Sequence, residues 1–120
     1  MITVLVIDDS PSEMAKFRDI LTKNNFQILE ASNGEKGCLM AAEHLPDVVL
    51  MDVVMPEMNG FQATRKITRG KTTAHIPVVI VSTKNQETDR VWGKRQGAKE
   101  YLVKPVDENE LVRIIRTVTE

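Results

Sequence analysis

A run of apolar residues that ends in a carboxylate limits what this chain can fold into. Val48–Met51 is continuously apolar, and it is followed at once by Asp52 and a loop that ends at Gly60. Such short runs bounded by turn residues are typical of strands buried on both faces of a parallel sheet. The ends of these strands open onto the crevice where α/β proteins bind ligands. Asp52 is therefore placed either for chemistry or, as Asp after a strand often is, for a turn.

Four other segments also read as strands, and helical patterns separate them. The strand segments are 3–7, 26–31, 78–81 and 101–103. The helical segments begin near residues 11, 34, 60, 87 and 107, and the second of them carries Leu39, Met40 and Ala42 and stops before Pro46. Five strands that alternate with five helices predict a doubly wound α/β fold, a three-layer sandwich with helices on both faces of a parallel sheet.

Two helix starts have clear capping signals. Ser10, Pro11 and Glu13 supply an N-cap, a proline at the first helical position and the glutamate of a capping box. Asp107 and Glu110 repeat the pattern before the last helix.

The fourth helix has the weakest signal of the five. It has Gly93 in its interior, and Val91 and Trp92 are its only large apolar residues. A glycine in a helix interior costs about 1 kcal/mol relative to alanine, so we expect this helix to be the least firmly held. We also expect Trp92 to be partly exposed and to contact a partner.

Composition excludes several classes of function. The chain has 120 residues and a net charge of −1, which predicts one domain with no direct nucleic-acid binding and no basic membrane-binding patch. Its single cysteine, Cys38, rules out an internal disulfide and a thiolate zinc site, and we expect it to be a small core residue. The N-terminus resembles neither a signal peptide nor a membrane span. These features predict a cytoplasmic protein without membrane insertion.

Polar residues follow four of the five predicted strands. They are Asp8 and Asp9, Asp52, Ser82 and Lys104. Because the ends of parallel strands meet at one edge of the sheet, these residues should converge on one site. Three close carboxylates repel one another unless a cation lies between them. Carboxylate ligands without His or Cys select a hard ion, which predicts Mg²⁺.

A carboxylate, an ammonium group and a hydroxyl beside Mg²⁺ are the groups that phosphoryl transfer requires. Asp52 is the candidate nucleophile, which would form an acyl phosphate. Lys104 and Ser82 are the candidates for contact with the phosphoryl oxygens. These three residues form the predicted catalytic set.

Together these motifs resemble the receiver domains of the response regulators of two-component signalling, over the whole chain. The resemblance implies a flavodoxin-like (βα)5 fold with strand order 2-1-3-4-5. It also implies that Asp52 is the phosphoacceptor and that Asp9 and Asp52 bind Mg²⁺, with Asp8 acting mainly through a water molecule. The resemblance further implies that the backbone carbonyl of Val54 is the remaining protein ligand of the metal ion.

The same resemblance implies a conformational switch. Lys104 should precede a cis peptide bond to Pro105, Ser82 should move toward the phosphoryl group, and Tyr101 should turn inward. These movements reshape the face built from the fourth helix, fifth strand and fifth helix. The predicted partner contacts on that face are Val91, Trp92, Lys94, Arg95 and Tyr101. One departure from the family pattern is Thr83, where many receivers carry Ala.

Three segments carry a narrower resemblance, to the stand-alone receivers of chemosensory type IV pilus systems. They are DDSP at 8–11, GFQATR at 60–65 and QETDRVWGKRQGA at 86–98. This likeness implies a single receiver domain over residues 1–120 without an output domain, and a signalling switch rather than an enzyme. It also implies a CheA-like histidine kinase as donor and a separate effector, such as a pilus motor or its regulator.

Other classes of function remain to be compared. A flavodoxin would need a glycine- and hydroxyl-rich phosphate loop after the first strand, where Asp8 and Asp9 would repel a phosphate. A phosphatase with an aspartate nucleophile would need a second acid at the position of Val54. A receiver could also act through protein interaction without phosphorylation, or as a phosphate sink for a sister receiver.

Overall fold

The computed structural model describes residues 1–120, in which five strands and five helices alternate. The elements are β1 Thr3–Ile7, α1 Pro11–Lys23, β2 Gln27–Ala31, α2 Gly34–His44, β3 Val48–Met51, α3 Gly60–Thr68, β4 Val78–Ser82, α4 Glu87–Arg95, β5 Glu100–Val103 and α5 Glu108–Val118. All the elements predicted from the sequence are present. No helix is both long enough and apolar enough to cross a membrane.

The five strands form one parallel sheet in the order β2-β1-β3-β4-β5, as predicted. The register pairs Ile7 of β1 with Met51 of β3, Met51 with Ile80 of β4, and Ile80 with Tyr101 of β5. Because all strands run the same way, the residues that follow them lie along one edge. The fold is the doubly wound α/β sandwich.

The core consists of two layers, one on each face of the sheet. Leu5 and Ile7 of β1 point into the layer that α2, α3 and α4 cover, and Val4 and Val6 point into the layer beneath α1 and α5. All four side chains are at most 1% exposed. Burial on both faces explains why the strands read as continuous apolar runs and not as alternating ones.

The predicted capping box of α1 is wrong in one half. Ser10 accepts a hydrogen bond from the backbone N–H of Glu13 (3.3 Å), as an N-cap does. The backbone N–H of Ser10, however, donates to Asp8 Oδ1 (2.9 Å), so Glu13 is not its acceptor. The reciprocal bond forms instead at α3, where Asn59 and Gln62 cap each other. Competition from Asp8 releases the Glu13 carboxylate for another contact.

Helix α2 packs through its small residues. Gly37, Cys38 and Ala41 are buried, which confirms Cys38 as a core residue. Leu39 is 63% exposed, and Ala42 is also exposed. Of the apolar residues that mark this helix in the sequence, only Met40 packs against the core, where it is partly buried. The buried face consists mainly of small side chains because the helix approaches Ile7 of β1 closely at Gly37.

Gly93 has a packing role in α4. It is the only buried residue of that helix. A Cβ atom at Gly93 would lie 2.9 Å from Cδ1 of Ile80 and 3.0 Å from Cδ2 of Tyr101, closer than ordinary van der Waals contact. The glycine that lowers the helix propensity of α4 thus lets the helix lie directly on β4 and β5.

Gly60 allows the loop after Asp52 to close, which predicts a stability effect. Its N–H donates to the carbonyl of Val53 (2.9 Å), and a Cβ atom at this position would overlap the carbonyl oxygen of Asp52. Because that contact is with backbone, relief requires movement of the loop. We expect Gly60→Ala to lower the free energy of unfolding by about 2–3 kcal/mol, measured by urea denaturation. Arg65→Ala, at an exposed position of α3, is the control, and an equal small effect of both would contradict the prediction.

Candidate functional site

The main chain places the polar residues at the edge of the sheet. The N–H of Asp8 donates to the carbonyl of Ala31 (3.1 Å), and the N–H of Asp52 donates to the carbonyl of Ile7 (2.9 Å). The N–H of Lys104 likewise donates to the carbonyl of Ser82 (2.9 Å). The parallel pairing thus continues one residue beyond each strand, which directs these side chains to a common site.

Three carboxylates meet at this edge, as the sequence predicts. Oxygen atoms of Asp8, Asp9 and Asp52 lie within 4.8 Å of one another. Asp8 and Asp52 are buried, at 2% and 8% exposure, whereas Asp9 is exposed. A set of carboxylate oxygens without His or Cys, open to water on one side, fits Mg²⁺, which binds few protein ligands and keeps several waters.

Lys104 lies between the two buried carboxylates. Its Nζ atom is 2.8 Å from Oδ2 of Asp8 and 3.3 Å from Oδ1 of Asp52, and its side chain is 9% exposed. Glu13 is a third acidic neighbour at 3.9 Å, a contact that sequence analysis missed because it assigned Glu13 to the helix cap. Glu13 lies in the first turn of α1, directly after the edge of the sheet that carries Asp8 and Asp9. That position is the signal in the sequence that could have indicated its contact with Lys104. The predicted cis peptide bond to Pro105 is present.

The charges of this cluster shift the acid–base properties of its members. Burial, reinforced by the negative charge of Asp8, raises the pKa of Asp52 from 3.8 to about 6, although Lys104 acts in the opposite direction. Burial of Lys104 opposes its charge, but the hydrogen bond to Asp8 and the field of Asp52 outweigh it and raise the lysine pKa. Lys104 therefore stays protonated and positively charged, beside Asp52, whose ionisation is disfavoured.

Ser82 and Tyr101 are linked through the backbone of Lys84. Ser82 is fully buried, and its Oγ accepts a hydrogen bond from the N–H of Lys84 (3.1 Å). Tyr101 is 4% exposed, and its hydroxyl donates to the carbonyl of Lys84 (2.8 Å). Tyr101 thus lies inward, and Ser82 makes no hydrogen bond to Asp52. A movement of Ser82 toward the phosphoryl group remains a prediction.

A groove of about 590 Å³ lies between α4 and β5, beside Tyr101. Its lining residues are Glu87, Arg90, Val91, Lys94, Arg95, Glu100 and Tyr101. Four of the five predicted partner contacts are among them. Trp92 does not line the groove, but it is 48% exposed, as expected.

The side chain of Val54 is 61% exposed, two residues after Asp52. Its carbonyl as a metal ligand remains a prediction.

Comparison with known proteins decides the family. Residues 4–116 match the response regulator receiver domain. The chain belongs to the response regulator receiver family. The receiver is 56% identical over 118 residues to protein PilH of Pseudomonas aeruginosa, covering 98% of each chain. This finding confirms the resemblance to PilH-like receivers.

Solved receivers share its fold. The chemotaxis protein CheY4 of Vibrio cholerae superposes with a TM-score of 0.91 at 27% identity, and the match covers 98% of each chain. A CheX–CheY–BeF3–Mg²⁺ complex from Borrelia burgdorferi contains a chain that matches with a TM-score of 0.91 at 26% identity, over 99% of this receiver and 90% of that chain. The carboxylate cluster and Lys104 of this receiver therefore lie in a CheY-like framework.

The raised pKa of Asp52 predicts a pH-dependent effect of its neutral isostere. In metal-free buffer, Asp52 ionises near pH 4 in the unfolded chain and near pH 6 in the folded one, so ionisation destabilises the fold as pH rises between these values. A gap of this size corresponds to about 3 kcal/mol, and access of water to the site reduces our expectation to about 1–2 kcal/mol. Asp52→Asn should be more stable than the parent by this amount at neutral pH, and the difference should shrink as pH falls toward 4.

Urea denaturation in EDTA across this pH range measures the effect. Glu43→Gln, at an exposed position of α2, is the matched control and should show no such dependence. A difference in stability between Asp52→Asn and the parent that stays constant with pH would contradict the raised pKa of Asp52.

Proposed function

We propose that this receiver is a signalling switch, driven by transfer of a phosphoryl group from a histidine kinase to Asp52. The observation that carries the proposal is the position of Lys104, whose ammonium group touches both Asp8 and Asp52 at the carboxylate edge. A buried cation beside the nucleophile is placed where the negative charge of a phosphoryl group would develop. The role is that of a phosphorylated switch and not of an enzyme acting on a separate substrate.

Asp8, Asp9, Asp52 and the carbonyl of Val54 are the residues that would hold Mg²⁺. Bound there, the ion would neutralise the carboxylates and the charge of the phosphoryl oxygens. The composition of the Borrelia burgdorferi complex, which contains both Mg²⁺ and BeF3, supports this assignment for a receiver of the same fold. Asp8 is the most deeply buried member of the cluster and also fixes Ser10 and Lys104, so it organises the site as well as contributing charge.

In the proposed step, a carboxylate oxygen of Asp52 forms a bond to phosphorus while the bond from phosphorus to the donor nitrogen breaks. The product is an acyl phosphate on Asp52, and the histidine of the kinase keeps the electron pair of the broken bond and takes up a proton. Lys104 stays beside the transferred group and compensates its charge. The low exposure of Asp52 and Lys104 limits the contact of these two groups with water, which strengthens the interactions between them.

The response would reach the partner face through β4. If the Ser82 hydroxyl turns toward the phosphoryl group, its hydrogen bond with the N–H of Lys84 must change. The carbonyl of Lys84 also accepts a hydrogen bond from the hydroxyl of Tyr101. Tyr101 in turn lines the groove between α4 and β5. The phosphorylated form would thereby favour one of two arrangements of this face, a shift between existing populations.

The likeness to PilH supports a pathway as well as a chemistry. We propose that a CheA-like kinase of a chemosensory system is the phosphoryl donor. A separate effector, such as a pilus motor or its regulator, would read the face of α4, β5 and α5, and twitching motility or a chemotaxis-like response would be the output. A phosphate sink for a sister receiver is the alternative use of the same chemistry.

Acetyl phosphate with Mg²⁺ tests the phosphoacceptor. We expect intact-mass spectrometry to detect one added phosphoryl group on the parent protein, and fragment analysis to place it on Asp52. Asp52→Ala should abolish the label, whereas Asp19→Ala, an exposed acid on α1, should retain it. Label on the Asp52 variant would refute the assignment. Absence of label from Mg²⁺-bound parent, even with a histidine kinase present, would favour an interaction module that works unphosphorylated.

Lys104→Ala tests the transmission of the signal. In Mg²⁺ buffer we expect this variant to remain folded, as judged by circular dichroism, because the metal ion replaces the missing positive charge. The fluorescence of Trp92, the single tryptophan, should not change in this variant when the phosphodonor is added. Lys99→Ala, an exposed lysine before β5, is the control and should respond as the parent does. A normal response of the Lys104 variant would contradict its role in switching.

A further inference from the structure

Tyr101 is held in its buried position by several contacts outside the carboxylate site. Its ring lies beneath α4, where the absence of a side chain at Gly93 leaves room for it. Its hydroxyl donates to the carbonyl of Lys84, in the loop after β4. None of these contacts involves Asp52 or Lys104. The inward position of the tyrosine is therefore supported by α4 and the β4–α4 loop.

Arg90 contacts Tyr101 in two ways, and the proposed phosphoryl transfer uses neither contact. Its Nη1 atom donates to the backbone carbonyl of Tyr101 (3.3 Å). Its guanidinium carbon lies 5.6 Å from the centroid of the same ring, within the range of a cation–π interaction. Arg90 precedes Gly93 by three residues, so both lie on the side of α4 that faces β5. One side chain thus contacts both the main chain and the ring of Tyr101.

The acidic residues near Arg90 do not compete with Tyr101 for its guanidinium group. Glu87 and Glu100 line the same groove, but Arg90 forms no ion pair within 4 Å, and the nearby acid Asp89 pairs with Lys84 instead (3.8 Å). A planar guanidinium suits this site because it can stack on an aromatic face while it donates to a carbonyl, which an ammonium group cannot do equally well.

We propose that Arg90 is a positioning residue for Tyr101, and that it holds the ring inward before Asp52 carries a phosphoryl group. The groove between α4 and β5 then has a preset wall, because Arg90 and Tyr101 both line it. The remaining connection to the carboxylate site is the hydrogen bond from Lys84 to Ser82. Phosphorylation would act on residues 82–84 and would reach this preset wall through Lys84. Only this last point rests on the proposed function.

The chain offers a direct probe, since Tyr101 is its only tyrosine. Protein labelled with 3-fluorotyrosine should give a single ¹⁹F resonance from this ring. The change in its chemical shift between H₂O and D₂O reports exposure of the ring to solvent, and the same label in urea gives the fully exposed reference. The readout requires neither Mg²⁺ nor a phosphodonor.

We expect the parent protein, without Mg²⁺ or phosphodonor, to show a solvent shift well below the urea reference, because Tyr101 is only 4% exposed. Arg90→Ala should raise the shift to at least half of the reference value, because the ring loses its cationic neighbour and its carbonyl loses a donor. Arg90→Lys should restore burial only in part. Arg95→Ala removes an arginine from the same helix and groove without a contact to Tyr101, and it should match the parent.

Two results would overturn the inference. An Arg90→Ala protein that remains folded by circular dichroism, with the solvent shift of the parent, would show that Arg90 does not hold the ring. A parent protein whose ring is exposed before the phosphodonor is added, and buried afterwards, would show that phosphorylation sets the position. Because burial is measured before any phosphodonor is present, failure of Asp52 to accept a phosphoryl group leaves the test of Arg90 intact.

Discussion

The ion-pair arrangement of Lys104 with Asp8 and Asp52 is the constraint on which the rest of the site depends. Two buried carboxylates at hydrogen-bonding distance from one ammonium group are tolerable only when the geometry holds all three together. Asp8, Asp52 and Lys104 follow β1, β3 and β5. These three side chains can meet only if the strands are parallel and β3 lies beside β1. The chemistry of the edge and the topology of the sheet are thus one requirement.

The site and the groove are connected at a single short segment. The N–H of Lys84 binds Ser82, which is fully buried at the end of β4, and the carbonyl of Lys84 binds Tyr101 on the groove side. A peptide segment that bonds in both directions can pass a small displacement from one side to the other, because packed neighbours leave few alternative positions. The contacts of Arg90 and Gly93 act on the groove side alone. This division separates the residues that would sense phosphorylation from those that shape the partner surface.

Membership of the receiver family agrees with this arrangement. The chain is 56% identical to PilH along nearly its whole length, and it carries the carboxylates and the lysine on which the proposed phosphoryl transfer depends. Its α4 has one buried residue, Gly93, whereas Trp92, Lys94 and Arg95 are exposed. Such a helix contributes little to the core, so its sequence is available for recognition of a partner.

The sequence alone determined the sheet, because strands buried on both faces must be continuous apolar runs, and it located Asp8, Asp52 and Lys104, because polar residues at the ends of parallel strands converge. It could not determine which acceptor each donor takes. Only the tertiary structure decided that Asp8 binds the N–H of Ser10, which leaves Glu13 beside Lys104, and it alone decided that α2 packs through small residues. The bond of Ser10 to Asp8 is local, but residue type does not decide which of two nearby acids accepts it. The contact of Glu13 with Lys104 and the packing of α2 on β1 depend on distances between elements far apart in the chain, and local patterns of residue type carry no information about those distances.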